Sequence, residues 1–277
     1  MDVKSDRNKM TGISPKETEL IATISEKGLS IFTLEDAVRL LNDNKRSVSR
    51  LVSSLVRKRK LQRIEKAKYL LIPPMAWKRG EFSEQGAVIA TQLIEPYYLS
   101  YWTALDIYGW TEQPSQTIFI ATTKQKASLK VQGMTFKFVR LKPKRFFGYR
   151  ERWNGPHKVT VADMEKTIVD CLDQPRYCGE IVEAVKGIWN GRDEIDFSKT
   201  LTYAVRMDNG AIIKRLGYIM ETLEILTPEF RNKLVSRISR GFVNLDPGGP
   251  KTQSKLVPEW QIRLNVNPKN LTEWIRH

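Results

Sequence analysis

Apolar positions in the N-terminal part of the chain fall into three helix-spaced groups followed by two short extended ones. Ser14, Pro15 and Glu17 combine an N-cap hydroxyl, a proline at the first helical position and an acid at the third, which predicts a helix start. Leu20, Ile21 and Ile24 supply its buried side, Gly28 closes it, and Ile31 and Phe32 suit a short extended piece entering the core. Thr33 and Asp36 repeat the capping pattern ahead of Leu34, Ala37, Val38 and Leu41, which recur at i, i+3, i+4 and i+7. Asn42, Asp43 and Asn44 predict a turn, because Asn and Asp bond back to the local backbone and tolerate left-handed conformations. Val48, Leu51, Val52, Leu55 and Val56 then give a third helix one apolar stripe. Residues 60–63 and 68–72 read as two strands around a polar tip at 64–67. Three helices and a basic β-hairpin in this order predict a winged helix-turn-helix, with the third helix in a major groove and the hairpin on the adjacent backbone. Pro73 and Pro74 end the unit, so a first domain is expected over 1–74.

From residue 75 the pattern changes to β-branched and aromatic runs alternating with helical ones, which predicts a larger mixed α/β domain over 75–277 and an α/β class overall. Tyr98, Trp102 and Leu105, with Tyr101 and Tyr108 beside them, suit one face of a helix and read as core rather than as a stacking platform. Residues 117–122 read as a buried strand, and residues 135–141 as a half-exposed partner strand after a turn at Gly133. Another strand is expected over 158–161. After it comes a helix capped by Asp163, with Met164, Thr167, Ile168, Cys171 and Leu172 on one face and Pro175 as its stop. Helices follow at 178–189, at 211–226 and after the Thr227–Pro228 cap, while the Gly- and Pro-rich stretch 245–255 reads as a mobile loop. A late strand over 260–266 and a short helix from Pro268 complete the expectation, with no detectable internal repeat.

Charge adds what periodicity lacks. The 277 residues carry a formal net charge of +15, which calls for an anionic partner. Residues 45–68 alone hold ten Lys or Arg and a single acid, Glu65. With its apolar stripe turned inward, the third helix presents Arg46, Ser47, Ser49, Arg50, Ser53 and Arg57 outward. Such a face lacks the bulky apolar groups of a membrane anchor and suits a nucleic-acid groove. Arg46 and Arg50, one turn apart behind Lys45 at the helix start, are suited to bidentate contact with guanine edges. Ser47, Ser49 and Ser53 are short enough for close approach to a base edge or phosphate. Arg57, Lys58, Arg59 and Lys60 lie at the far end and are assigned to phosphates, and the wing contributes Gln62, Arg63, Lys66 and Lys68. A second basic stretch, 142–153, interleaves aromatic residues and suits either a further nucleic-acid contact or a solvated loop.

Catalytic constellations are not found in the sequence. It contains two histidines, His157 and His277, no glycine-rich phosphate loop ending in Lys-Ser/Thr and no paired-histidine zinc helix, so no enzyme, metal or cofactor is expected. Asp163, Glu165, Asp170 and Asp173 cluster in sequence, as a metal-dependent nuclease would require. A helix start and a solvated helix face account for them better, since acids in a first turn favour the helix dipole. An RNA-binding or nucleic-acid-processing enzyme using residues 137–158 is the alternative reading. Cys171 and Cys178 form no CxxC pair, the N-terminus has no apolar signal region, and no run approaches the ~20 apolar residues of a membrane span. These features predict a cytoplasmic protein with no membrane partner.

Four segments carry a family resemblance: YYLSYWTALDIYGWTEQ, TIFIATT, MTFKFVRL and VTVADMEKTIVDCLDQPRYCG. They resemble transcriptional-regulator antitoxins of the AbiEi type, which pair an N-terminal winged helix with a C-terminal antitoxin domain. The similarity runs from the first helix to about Gly187. It implies a repressor that binds inverted repeats in the promoter of its own operon. It also implies an antitoxin that counters a nucleotidyltransferase-like toxin encoded beside it, without a stable complex. A monomer in solution, with two copies on double-stranded DNA, is expected in preference to an obligate dimer.

Overall fold

Two capping boxes set the first helices in the computed structural model, which describes residues 12–73, 77, 86–112, 115–154, 157–250 and 255–276. At the start of α1 (Pro15–Glu26), the Glu17 N–H donates to the Ser14 hydroxyl while the Glu17 carboxylate accepts the Ser14 N–H at 2.7 Å. Thr33 and Asp36 do the same for α2 (Leu34–Leu41), which ends on Asn42 in the left-handed region. Asn44 caps α3 (Lys45–Arg57) by accepting the Ser47 N–H at 2.9 Å. Three strands, β1 (Ile31–Thr33), β2 (Leu61–Glu65) and β3 (Lys68–Leu71), form an antiparallel sheet in the order β1-β3-β2, with Ile31 opposite Leu70. Leu20, Ile24, Phe32, Ala37, Val48, Val52, Leu55 and Leu61 pack together as the core of this unit. The hairpin differs from its expected form. Ile64 belongs to β2 and is buried, and the turn shrinks to Lys66 and Ala67. A bulge between Arg63 and Glu65 turns both Leu61 and Ile64 inward, three residues apart, which strict alternation would forbid.

The chain divides near residue 85 into two units, Met1–Gln85 with Lys130–Gln132 and Gly86–Leu129 with Gly133–His277. The boundary expected between 74 and 75 lies outside the described residues. From residue 86 onward, α4 (Gly86–Thr91) leads into β4 (Tyr97–Leu99), α5 (Trp102–Ile107), β5 (Thr117–Thr122), β6 (Leu129–Val131), β7 (Met134–Arg140), β8 (Tyr149–Asn154) and β9 (His157–Ala162). These strands make one mixed six-stranded sheet in the order β6-β7-β5-β4-β9-β8, with β5 and β7 parallel and β8 and β9 antiparallel.

Tyr98 lies on a strand, not on the helical face expected for it. Tyr101, at φ +56, turns the chain between β4 and α5, and no hydrophobic period signals such a bend. The aromatic cluster is nonetheless core, with Tyr98, Tyr101 and Trp110 buried. β7 is more buried than expected, because Val139 is enclosed along with Phe136 and Phe138.

Among the described residues, five α-helices follow the sheet: α6 (Met164–Asp173), α7 (Glu180–Asn190), α8 (Phe197–Arg206), α9 (Gly210–Thr222) and α10 (Pro228–Val235). α6 packs against α7, α8 and α9 and is buried on every side from Glu165 to Asp173, which corrects the expectation of one solvated face. A small sheet of β10 (Val243–Asn244), β11 (Lys255–Val257) and β12 (Ile262–Leu264) closes the unit, in the order β10-β12-β11. The described part of the expected mobile loop is pinned: Asn265 donates to the carbonyls of Asp246 and Pro250, and Asp246 accepts the Gly248 N–H at 2.8 Å. Residues 251–254 lie outside the described residues.

Candidate nucleic-acid interface

Asn44 and the apolar stripe together fix which way α3 faces. Val48, Val52 and Leu55 are buried, so Arg46, Arg50, Ser53 and Arg57 are left exposed at i, i+4, i+7 and i+11. That stripe is roughly 16 Å long at the helical rise of 1.5 Å per residue. Among the described residues no carboxylate forms an ion pair with Arg46, Arg50, Arg57, Arg59 or Lys66. Lys66 is exposed at the hairpin turn. The cationic helix face and the hairpin tip are therefore both free to meet an anion.

Other expected residues are partly committed within the unit. Lys45 pairs with Glu35 at 3.0 Å on the surface. Ser47 is half-buried; its hydroxyl donates to Asp43 at 3.1 Å, and Asp43 in turn pairs with Lys16 at 2.8 Å. Hydrogen bonding from Lys16 leads the effects that hold the Asp43 carboxyl below its usual range. Ser49 is half-buried on α3, and Gln62 is half-buried on β2. Lys60 lies 4.2 Å from the centre of the Trp77 ring, Arg63 donates to the Glu65 carbonyl at 3.1 Å, and Lys68 sits 3.5 Å from the Glu65 carboxylate.

Lys58 does not join the phosphate-facing set. Its ammonium turns inward and meets the buried Glu17 carboxylate at 2.7 Å. Burial alone would raise the Glu17 pKa. The hydrogen bonds from Lys58, from the Ser14 backbone and from the Ser54 and Ser14 hydroxyls reverse this and hold it at about 2. Helical spacing around 57–60 could not reveal this, because Glu17 is 41 residues away.

The acidic cluster of the second unit is also occupied internally. Asp163 caps α6 and accepts the Tyr203 hydroxyl at 2.9 Å; Lys199 bridges it to Glu165 at 3.1 and 2.7 Å. Burial opposes the charge of Lys199, yet these two carboxylates raise its pKa. Asp170 is fully buried, paired with Lys166, and accepts hydrogen bonds from Ser100 at 2.7 Å and Tyr98 at 3.1 Å. Burial dominates and raises its pKa despite those partners. Asp173 accepts from Asn209 at 2.7 Å. Among the described residues, no group of three or more His, Cys, Asp or Glu is placed to hold a metal ion. Cys171 and Cys178 are both free and buried.

The protein is thus of mixed α/β class, with helices and several sheets, and no described helix is long and apolar enough to cross a membrane. Its fold is similar to the crystal structure of the RV2827C protein from Mycobacterium tuberculosis, with a TM-score of 0.68 and 14% identity over 96% of this chain and 97% of that one. At that identity the likeness concerns the fold alone. No protein-family model matches the chain, and no curated protein does.

Proposed function

We propose that this protein is a DNA-binding transcriptional repressor whose first unit is a winged helix-turn-helix. The observation that carries the reading is the exposed stripe of Arg46, Arg50, Ser53 and Arg57 on α3, beside a hairpin with Lys66 at its tip. A helix with this stripe fits a major groove about 12 Å wide, and the hairpin is placed in sequence as the wing of such a motif. Arg46 and Arg50 read base edges, Arg57 and Arg59 hold phosphates, and Lys66 holds the flanking backbone. Lys58 serves the fold instead. In a mobility-shift assay on the promoter of the protein's own operon, Arg46→Ala and Arg50→Ala are each expected to weaken binding by about 1–3 kcal/mol and to relax specificity. Wild-type affinity and specificity in both variants would remove the groove assignment.

The proposal extends to autoregulation through inverted repeats, with two monomers on double-stranded DNA, and to an antitoxin role for the second unit. These rest on the resemblance to AbiEi-type antitoxins in the four segments quoted above. Co-expression with a nucleotidyltransferase-like toxin encoded beside it is expected to relieve growth arrest without the two proteins co-purifying. Persistent arrest at matched expression levels would sink the antitoxin role.

A further inference from the structure

Trp153 and Tyr149 are the most exposed of the described aromatic side chains, at 64% and 43%, and both lie on β8. β8 is an edge strand, paired with β9 and with no neighbour on its other side among the described residues. An exposed tryptophan on an unpaired edge is a liability unless it is used. The surrounding charge indicates what would use it. Arg150 and Arg152 alternate with Tyr149, Glu151 and Trp153 along the strand, both are exposed, and no described carboxylate forms an ion pair with either. Directly across the ladder from Trp153 is Lys158, with its ammonium 5.4 Å from the indole centre. On the other face of the strand the Arg152 guanidinium lies 5.0 Å from the Tyr108 ring, which itself stacks on Trp110. The one acid on β8 is Glu151, and Lys158 pairs with it at 3.3 Å.

We infer that the β8 edge is a second nucleic-acid site, built for single strands. Unstacked bases offer π-faces to Trp153 and Tyr149, whose separation of four residues is roughly 13 Å along a strand. Their phosphates meet Arg150, Arg152 and Lys158. Duplex DNA keeps its base faces stacked inside, so this edge would not read an operator, and the site goes beyond the DNA-binding proposed for α3. A β-strand from a second copy is a competing occupant. It is disfavoured in the symmetric antiparallel register centred on Glu151, where Arg150 of one copy would face Arg152 of the other and Glu151 would face its own counterpart.

The test uses the full chain and labelled oligonucleotides of mixed sequence about 12 nucleotides long, within the range one such site covers, as single-stranded RNA, as single-stranded DNA and as duplex. Fluorescence anisotropy is expected to show Trp153→Ala weakening single-strand binding about tenfold. The double variant Arg150→Ala/Arg152→Ala is expected to lower the log–log salt slope by about 1.4. Both variants keep wild-type promoter binding, whereas the Arg46→Ala/Arg50→Ala variant loses the promoter and keeps single strands, which separates this site from the first. The RNA and DNA arms show which strand is preferred. Single-strand binding unchanged in both β8 variants overturns the proposal. So does a dimer that Trp153→Ala splits while oligonucleotide affinity stays constant, which would assign the edge to a second copy.

Discussion

Glu17 illustrates how far a single residue can be read from sequence. Its place three positions after Ser14 marks it as half of a capping box, and it is that. The spacing does not show that the same carboxylate is 3% exposed and closes an ion pair with Lys58. The pair sets the sign of a pH effect. The carboxyl sits at about 2 when folded, against 4.5 for the ordinary group, so the folded state binds its proton less readily than the unfolded chain. The resulting stabilisation is fully present above about pH 4.5 and fades as the pH falls toward 2. Urea midpoints measured across that window should fall less steeply in Glu17→Gln than in the wild type. Lys58→Ala, at neutral pH, should cost about 3 kcal/mol of unfolding free energy by leaving a buried charge unpaired. A loss no larger than that of Arg57→Ala would show that the pair does not hold the fold.

Elements were legible where local signals agreed. Both capping boxes, the Asn42–Asn44 turn and the apolar stripe of α3 lie where their spacing places them. Elements set by distant contacts were not. β8 carries charge or aromatic character at every position from 149 to 153, with no apolar alternation, and it is a strand only because β9 supplies its partner. The helix α8 gave no signal strong enough to be singled out, and the strand-to-helix bend at Tyr101 hid inside an aromatic run that also satisfies a helical period. For α3 the cap carries its own prediction. Asn44→Ala removes the acceptor for the Ser47 N–H, and should destabilise the first unit by about 1 kcal/mol in urea unfolding. An unchanged midpoint would mean that Asp43, which binds the Ser47 hydroxyl, orders the helix start unaided.

For the whole molecule, composition and topology inform different questions. The net charge of +15 pointed to a polyanion, but only the arrangement of that charge separates a stripe on α3 from an edge on β8. The mixed α/β class was readable from the change of pattern near residue 75, whereas the strand order β6-β7-β5-β4-β9-β8 was not, since parallel pairs such as β5 with β7 join segments that no local rule connects. The proposed antitoxin role belongs to this scale, because the resemblance behind it lies in a succession of segments through the second unit and in no single side chain.

The position of β3 has a consequence in time. It is the last strand of its sheet to be made and the middle one in order, bonding β1 on one side and β2 on the other. Until Lys68–Leu71 has left the ribosome, β1 has no partner and β2 has no hairpin, so the helices they brace are not yet locked in place. Once it emerges, every element of the unit's described core is in hand while most of the chain is still unsynthesised. Vectorial synthesis thus lets the exposed cationic face of α3 assemble first, ahead of the large sheet that follows it.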